Sequence, residues 1–433
     1  MVKTAQQRSP GDLDAARTHL HAALRLDPNN PDLYDRLGYL YYQQNRLPEA
    51  ITYFQKALRL EPRHWSAHYH LAHSCVKQDR FEEAVLHYQQ VVLARPDHTQ
   101  AQYNLGLAYI ALEAFAAAEA PLSQALASDP SLEEAARQLI HIAIRFGRHV
   151  EAMTRLQAFL EQWPDSAEAH HNLAILYLRL RARDQALLHF ERSLQCHPHN
   201  PTALHMCAAL KGNSQVDQAP HAYIEALFDQ YAPYYEAQLR GSLQYEMPAL
   251  LRAALGRCLG AQAQIGRVLD LGCGTGRCGL MFRDLALELV GVDLSAAMIA
   301  EARRLNTYEQ LIQSDIGSYL NQPDTAENSM DIVIASEVLV YIGDLKGLFT
   351  SIARILKPGG HCCLSIELLP EQYAVHQDYR LQQSGRFAHA SSYLKTLAHT
   401  QGLCLRLEEP VPLREDQEAL IMGACLIFQK QKL

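Results

Sequence analysis

The sequence predicts a helical solenoid in its first half, followed by an α/β domain with a Rossmann-like, seven-stranded and mainly parallel sheet. Three observations support this prediction. Prolines recur at a fixed interval through the first half of the 433-residue chain. Beyond a polar, turn-rich stretch at residues 211–220, short apolar runs alternate with helical patterns. The first of these runs leads into a glycine-rich loop, which is typical of a sheet that binds a ligand at its strand ends.

The repeat in the first half has a period of 34 residues, marked by prolines at positions 28, 62, 96, 130, 164 and 198. Alanines keep the same step from Ala16 to Ala186. A large apolar residue follows each of these alanines by four positions, as Phe54 follows Ala50, which places both on one helical face. Because a single helix pair cannot bury its apolar stripe alone, the pairs are expected to stack.

The clearest copy combines apolar residues with small ones at the helix crossing: Tyr34, Leu37, Gly38, Tyr41, Ala50, Phe54, Ala57 and Pro62. In period and pattern it resembles the tetratricopeptide repeat. The resemblance implies a solenoid over residues 1–212, with an N-terminal half-repeat, about five full repeats and a capping helix. A linker at 213–220 is expected to lead into the α/β domain at 221–433, whose residues 221–262 would form lid helices.

Solenoids of this family expose a concave face that is built from the first helix of each pair. Here that face would be rich in aromatic and basic side chains: Tyr39, Tyr42, Tyr69, His73, Lys77, Tyr103, Arg137, Arg145, His171 and Arg179. Asn104 and Asn172 match asparagines that grip a peptide backbone in some members. The resemblance therefore implies a protein or peptide partner, and the alternative is a packing or dimerisation scaffold.

The predicted strands of the second half are short apolar runs at residues 267–271, 288–293, 309–313, 331–336, 362–367, 404–408 and 419–428. Helical segments fit between the first five runs, and this alternation favours parallel strands with helices on both faces. The last two runs lack room for a long helix between them, so they are expected to form an antiparallel hairpin. Two further helical stretches, near 222–238 and 247–259, precede the first strand.

A strand feeds a glycine loop in the run V-L-D-L-G-C-G-T-G at residues 268–276. Glycines permit positive φ angles and let a ligand touch the backbone. Asp293 ends the next strand, where its carboxylate is placed to accept both hydroxyls of a ribose. Ser295 then caps a helix. Asp315 ends the third strand, within reach of an adenine amino group. The pattern therefore predicts a nucleoside-containing ligand.

A nicotinamide dinucleotide is the alternative ligand, because residues 274–279 also spell G-x-G-x-x-G and Asp293 follows at a suitable distance. Asp270 favours a different ligand. A carboxylate at the tip of the first strand would repel a pyrophosphate but suits the ammonium group of a methionine moiety. Together with Asp315, these acids describe a ligand with an amine, a ribose and an adenine but no phosphate, which favours S-adenosylmethionine.

The glycine loop, the acids at the strand ends and the run L-K-P-G-G at 356–360 together resemble the motifs of class I S-adenosylmethionine-dependent methyltransferases. This resemblance covers about residues 265–367. The whole chain resembles bacterial members of that class that contain tetratricopeptide repeats. The resemblance implies a strand order of 3-2-1-4-5-7-6 with the last pair antiparallel. It also implies that the cofactor is held by residues at the strand ends: Asp270, Gly272, Cys273, Gly274, Gly276, Asp293, Leu294, Met298, Asp315, Ile316 and Ser336.

Methyl transfer is an in-line displacement at a sulfonium, and it needs a general base only when the nucleophile carries a proton. The candidates lie after the strands on the loop side: Glu337, Tyr341, Glu367 and His389. The alternatives are that Glu337 only orients the cofactor and that Tyr341 only packs.

An acceptor pocket is expected between the lid and the segments after the fifth strand. Tyr231, Tyr234 and Tyr235 precede the first strand, and Arg386 would suit a carboxylate through a two-point hydrogen bond. In the alternative, the tyrosines pack the lid on the sheet and Arg386 is solvated. The acceptor is expected to be a small or carrier-bound acid or hydroxyl compound, or a protein. An interaction scaffold that binds the cofactor without turnover is the second hypothesis.

Several functions are disfavoured by composition and motif. The net charge is −8 without a basic run, and the fourth strand leads into S-E-V-L rather than the N/D-P-P of enzymes that methylate base amines, so nucleic acid is an improbable substrate. No apolar stretch reaches the roughly 18 residues of a spanning helix, and no signal peptide is evident, which predicts a cytoplasmic protein. Histidines cluster at 64, 68, 70 and 73 without a metal motif, so no metal is expected.

Overall fold

The structure is a computed structural model that describes residues 10–213, 216–229, 246–259, 266–323, 325–416 and 419–432. The chain divides into two compact units, Met1–Asp165 and Ser166–Leu433. The predicted linker at 213–220 and the predicted capping helix therefore both lie inside the second unit.

The first unit consists, over its described residues, of helices joined by short turns: α1 (Pro10–Leu26), α2 (Pro31–Gln43), α3 (Leu47–Leu60), α4 (Trp65–Val76), α5 (Phe81–Ala94), α6 (Thr99–Ala111), α7 (Phe115–Ser128), α8 (Glu133–Arg145) and α9 (His149–Gln162). Small residues allow the helices of a pair to approach closely. A Cβ atom built on Gly38 would lie 2.5 Å from the ring of Phe54, and one on Gly106 would lie 2.5 Å from Leu122. The predicted helical repeat is confirmed.

The clustered histidines of the first unit have protein partners. His64 Nε2 lies 2.9 Å from Asp32, and His70 Nδ1 lies 2.9 Å from Asp35. His68 Nε2 donates to the carbonyl of Pro62, so its Nδ1 accepts the hydrogen bond of 2.9 Å from His87 Nδ1. Burial lowers the pKa of His87 to about 4. Within the described ranges, no group of three potential metal ligands is present.

The second unit begins with the helices α10 (Ala167–Arg179), α11 (Arg183–Cys196), α12 (Pro201–Lys211), α13 (221–229) and α14 (Met247–Leu259). Helix α12 ends at Gly212, whose left-handed φ of 69° suits glycine at the end of a helix. Its N-terminus is capped by Asn200, whose side chain accepts a hydrogen bond from the amide of Ala203. These local signals fix the length of α12.

The main sheet has strands β1 (Gly266–Leu271), β2 (Ala286–Asp293), β3 (Gln310–Gln313), β4 (Met330–Ala335), β5 (Leu356–Glu367), β8 (Leu403–Asp416) and β9 (Ala419–Lys430). Its order is β3-β2-β1-β4-β5-β9-β8. The first five strands pair in parallel, and β9 pairs antiparallel with both β5 and β8. The predicted fold is confirmed. A small hairpin, β6 (Tyr379–Leu381) and β7 (Phe387–His389), was not predicted.

Helices cover both faces of the sheet: α15 (Arg277–Phe282), α16 (Ala296–Arg304), α17 (Ile316–Leu320), α18 (Lys346–Ile355), α19 (Glu371–Ala374) and α20 (Ser391–Thr400). Two buried clusters result, one on each face, since successive side chains of a strand point to opposite sides. Leu269 and Val333 belong to one cluster, and their neighbours Val268 and Ile332 belong to the other. Among the described residues, no helix is long and apolar enough to cross a membrane.

Candidate functional site

The glycine loop after β1 has the backbone that only glycine adopts without strain. Gly272, Gly274 and Gly276 have φ values of 69°, 52° and 92°. A Cβ atom on Gly272 would lie 2.1 Å from a methyl group of Val338, whereas one on Gly274 would meet nothing within 4 Å. Gly272 therefore provides a close approach to the segment after β4, and Gly274 keeps one side of the loop open.

Asp293, at the end of β2, is oriented by the loop and by the next helix. Its Oδ2 accepts a hydrogen bond of 2.8 Å from the amide of Gly274, and its Oδ1 accepts one of 2.9 Å from the amide of Ser295. Burial raises the pKa of this carboxyl group. Since a carboxylate oxygen can accept two hydrogen bonds, both oxygens keep an acceptor position for two neighbouring hydroxyls.

Asp315 caps α17, because its Oδ1 accepts a hydrogen bond of 2.8 Å from the amide of Ser318. Its other carboxylate oxygen lies 3.2 Å from Nε2 of His221, at the start of α13. At Asp229, the last residue of α13 that the structure describes before the gap, the carboxylate accepts a hydrogen bond from the hydroxyl of Ser295. Helix α13 thus contacts the residues that follow β2 and β3, and this helix, called the lid below, borders the site.

Asp270 lies below the glycine loop and is 1% exposed. The hydroxyl of Tyr308 donates a hydrogen bond of 2.7 Å to its Oδ2. Within the described part of the chain its Oδ1 has no hydrogen-bond partner. Burial raises the pKa of Asp270 to about 7, and the hydrogen bond from Tyr308 opposes that shift. A buried carboxylate with one unsatisfied oxygen is a place where a cationic group would be stabilised.

These elements enclose a pocket with about 940 Å³ of space, part of it open to solvent. The structure brings most of the predicted cofactor residues to its wall: Gly272, Cys273, Gly274, Asp293, Leu294, Met298, Asp315, Ile316 and Ser336. Asp270 and Gly276 lie behind the loop rather than on the wall. Helix α13 adds His221, Ile224 and Phe228. These three residues were not predicted from the sequence, because a contact between the lid and the strand ends leaves no local pattern.

Glu337 and Tyr341 also line the pocket. Glu337 has a positive φ of 58°, and its amide donates a hydrogen bond of 2.7 Å to the hydroxyl of Ser365. Its carboxylate pairs with the guanidinium of Arg386 at 3.4 Å. The same guanidinium lies 6.0 Å from the ring centre of Tyr341, whose ring contacts Phe228 edge-on. Two of the catalytic candidates and Arg386 therefore lie side by side.

His389 does not fit the catalytic role expected from the sequence. Its side chain is fully buried, and its Nε2 donates a hydrogen bond of 2.8 Å to the carbonyl of Ile342. Burial lowers its pKa to about 4, and it does not line the pocket. A general base must reach the proton that it removes, so His389 is assigned instead to holding β7 against the segment after β4. Tyr231, Tyr234 and Tyr235 lie outside the described residues.

The turn that carries Arg386 is held by helix α12. His205 is 2% exposed, and its Nε2 donates a hydrogen bond of 2.8 Å to the carbonyl of Gly385. Gly385 has a φ of 81°, and a Cβ atom there would lie 2.9 Å from the sulfur of Met206. The ring of His205 also lies against that of Tyr223 in α13. The last helix of the repeat pattern, the lid and the β6–β7 hairpin therefore meet at one point next to the pocket.

Family models match both halves of the chain. Residues 269–364 match a family described as a methyltransferase domain. Residues 9–64, 36–89 and 69–133 match one tetratricopeptide repeat model, and residues 143–210 match another. The first match contains the glycine loop and the ends of β1 to β4, and the others cover most of the repeat region.

The curated relatives resemble only part of the chain. A malonyl-[acyl-carrier protein] O-methyltransferase from Enterobacter lignolyticus is 32% identical over 151 residues, which is 34% of this chain and 56% of the relative. The protein of the same description from Salmonella typhimurium is 28% identical over 198 residues, 43% of this chain and 74% of the relative. The chain thus spans little more than half the length of the first relative.

Among solved structures, YrrB, described as a tetratricopeptide repeat protein with an unusual peptide-binding site, is 24% identical with a TM-score of 0.40. That alignment covers 43% of this chain and 96% of YrrB.

Proposed function

Because this chain joins tetratricopeptide repeats to a methyltransferase domain, we propose that it transfers the methyl group of S-adenosylmethionine to an acid or hydroxyl acceptor. The observation that carries the proposal is the pocket at the ends of β1 to β4, where Asp293 and Asp315 line the wall beside a glycine loop and Asp270 is buried behind that loop. S-adenosylmethionine supplies a methyl group on a sulfonium, which makes the methyl carbon electrophilic. The chain supplies binding, orientation and the exclusion of water.

The residues of the pocket fit this cofactor group by group. The unsatisfied Oδ1 of Asp270 suits the environment of an ammonium group. The two partly satisfied oxygens of Asp293 suit the ribose hydroxyls. Asp315 and the backbone of Ile316 would contact adenine, next to His221 of the lid. The carboxylates of the pocket argue against a phosphate, although Arg277 also lies on its wall. We therefore assign the pocket to S-adenosylmethionine rather than to a dinucleotide.

Glu337 and Tyr341 are assigned to the acceptor side of the pocket. Arg386 orients the Glu337 carboxylate through an ion pair, in which the arginine side chain is about one third exposed. For a hydroxyl acceptor, the Glu337 carboxylate would accept the proton of the nucleophile. A carboxylate acceptor needs no base, and Glu337 and Arg386 would then serve to orient the acceptor. The likeness to malonyl-[acyl-carrier protein] O-methyltransferases supports an acid attached to a carrier, and we propose this class of acceptor first.

We further propose that the repeats bind a protein, either the carrier of the acceptor or a separate partner. In the first unit, aromatic and basic side chains cluster on the first helices of the repeats. Lys77 lies 4.1 Å from the ring centre of Tyr42, and the ring of Tyr39 stacks on that of Tyr42 with their centres 6.4 Å apart. Asn104 contacts His73 at 3.2 Å. Aromatic and cationic side chains of this kind are favoured in protein interfaces.

Transfer of tritium from labelled S-adenosylmethionine into fractionated lysate tests the proposed function. The full chain should label a carrier-protein or small-molecule fraction. Arg386→Ala should lower this transfer at least tenfold, because Glu337 loses its partner, while the affinity for S-adenosylhomocysteine stays within about twofold. Arg304→Ala, an exposed arginine of α16, is the matched control and should change neither quantity. Cofactor binding without label in any fraction would favour a scaffold without turnover. Binding of NAD in place of S-adenosylhomocysteine would contradict the cofactor assignment.

Asp270 should make cofactor binding dependent on pH. Its pKa in the unliganded protein, about 7, lies above the ordinary 3.8, so the folded protein holds this proton more tightly than the unfolded chain does. The resulting stabilisation is present at low pH and is lost as the pH rises through about 7. An ammonium group next to Asp270 favours the carboxylate, so S-adenosylhomocysteine should bind more tightly as the pH rises from about 5.5 to 7.5 and should release protons.

Calorimetry at a pH of about 6, in two buffers of different ionisation enthalpy, measures the number of protons released. Asp270→Asn should remove most of the release, and Asp284→Asn, an exposed residue that pairs with Arg252, should retain it. Equal proton release by the Asp270→Asn variant and the unsubstituted protein would show that another group titrates.

A further inference from the structure

A second cavity of the second unit has no role in the function proposed above. It holds about 770 Å³ of space, part of it open to solvent. One wall comes from the end of the repeat pattern, with Arg183 of α11 and Gly212 after α12. The opposite wall comes from the methyltransferase sheet and the small hairpin, with Glu367 of β5, Arg380 of β6 and Ser384 in the turn. The cavity therefore joins residues from both sequence patterns.

The two arginines of this cavity lack carboxylate partners in the part of the chain that the structure describes. Both side chains are half-buried, and no acidic group lies within 4.0 Å of either guanidinium. Arg380 is nevertheless fixed in place, since its guanidinium stacks 4.0 Å from the ring centre of Tyr373. Desolvating an unpaired charge is costly, and an anionic ligand would relieve that cost for both guanidinium groups. Two such cations facing one cavity therefore indicate an anionic ligand.

Chain neighbours of the cavity residues contact Glu337 on the acceptor side of the first pocket. Arg386 follows Ser384 by two residues and pairs with Glu337 of the pocket. On the opposite side, Ser365 accepts a hydrogen bond from the amide of Glu337, and Glu367 follows Ser365 by two residues along β5. Residues two apart in a strand share a face and lie about 7 Å apart. A ligand in the cavity could thus extend past Glu337 toward the cofactor.

We propose that this cavity binds the anionic part of the methyl acceptor, so that the last repeats help to bind substrate directly. This inference rests on the proposed methyltransferase function. Arg183 and Arg380 would hold a carboxylate or a phosphate, and the side-chain amide of Gln382 and the hydroxyl of Ser384 would donate further hydrogen bonds. Glu367, which is 4% exposed, also lines the cavity. The anion can be the carboxylate of the acid itself or the phosphate of a carrier arm.

Calorimetric titration of the full chain with malonate and with 4′-phosphopantetheine tests the proposal, at constant ionic strength set with chloride. At least one of these anions should bind, and Arg183→Gln and Arg380→Gln should each weaken that binding at least tenfold. Arg192→Gln is the matched control, because Arg192 lies on the exposed face of the same helix as Arg183. Tighter binding of 4′-phosphopantetheine would identify the phosphate of a carrier arm, and tighter binding of malonate would identify the acid.

The same variants connect the cavity to turnover. With Arg183→Gln, half-maximal tritium transfer should need at least five times as much of the lysate fraction that contains the acceptor. The maximal rate and the affinity for S-adenosylhomocysteine should not change. The proposal is overturned if neither anion binds, if the Gln variants bind like the unsubstituted chain, or if transfer is unaffected by them. If the unsubstituted chain does not bind S-adenosylhomocysteine, the proposed function is contradicted. Anion binding can still be measured in that case, so the two failures are distinguishable.

Discussion

Asp293→Ala should weaken the binding of S-adenosylhomocysteine by about 100-fold or more. The carboxylate is expected to accept two hydrogen bonds from the ribose, and hydrogen bonds to a charged group contribute about 1.5–3 kcal/mol each. The substitution also leaves the amides of Gly274 and Ser295 without their acceptor. Burial raises the pKa of Asp293, so removing the charge relieves a desolvation cost that partly offsets the loss of these two hydrogen bonds, and the unliganded protein should lose about 1–3 kcal/mol of stability.

Calorimetry at a pH of about 7.5 measures the affinity, and thermal unfolding without ligand measures the stability. Asp284→Ala is the matched control, since Asp284 is an exposed aspartate just before the same strand and pairs only with Arg252 among the described residues. It should change the affinity by less than about twofold. An Asp293→Ala variant that still binds the ligand within tenfold of the unsubstituted chain would exclude Asp293 as the ribose acceptor.

Gly272→Ala should destabilise the second unit by about 2–6 kcal/mol and abolish cofactor binding. A left-handed backbone strains alanine by about 1–3 kcal/mol. Its Cβ would also lie 2.1 Å from Val338, and overpacking of this kind costs roughly 1–3 kcal/mol. Relief of the clash would have to move either the glycine loop or the segment that carries Glu337. The melting temperature should fall by roughly 5–15 °C.

Two comparisons separate backbone strain from the steric clash with Val338. Gly274 also has a left-handed φ, but a Cβ atom there would have no neighbour within 4 Å. Gly274→Ala should therefore cost only about 1 kcal/mol of stability while still lowering cofactor affinity. Val338→Ala, combined with Gly272→Ala, should recover part of the lost stability. Equal melting temperatures for the two single glycine variants would show that the contact with Val338 carries no cost.

The fold could be predicted because it depends on patterns that are local in the sequence. The 34-residue step of proline and alanine positions predicted the helix pairs, and the alternation of apolar runs predicted the parallel strands and the last hairpin. The order of the strands came from the resemblance to class I methyltransferases. Strand bounds were less predictable: β5 begins at Leu356, six residues before the predicted start, since the run L-K-P-G-G reads as a turn. The β6–β7 hairpin was missed because each strand has only three residues, too few for a period to be detected.

The site was predictable to a lesser degree than the fold. The residues at the strand ends were found because a strand followed by glycines or by a carboxylate is a local signal. Helix α13 contributes through single contacts, such as His221 with Asp315, and these depend on the tertiary structure alone. His389 illustrates the opposite error. Its position after β5 suggested chemistry, but its ring is buried, and its hydrogen bond with Ile342 joins two backbone segments.

The contact between α12 and the β6–β7 hairpin, called the seam below, limits which segments of this protein can be exchanged by recombination. Leu381 and Phe387 of the hairpin are buried against Ala209, and the seam also contains the hydrogen bond from His205 to Gly385. If the α/β domain were joined to another protein without α12, this apolar surface would be exposed and the turn that carries Arg386 would lose its support. Whole 34-residue units could instead be gained or lost near the N-terminus at no cost to the seam. The length of the repeat array is therefore free to vary between descendants, whereas its last helix must be inherited together with the methyltransferase.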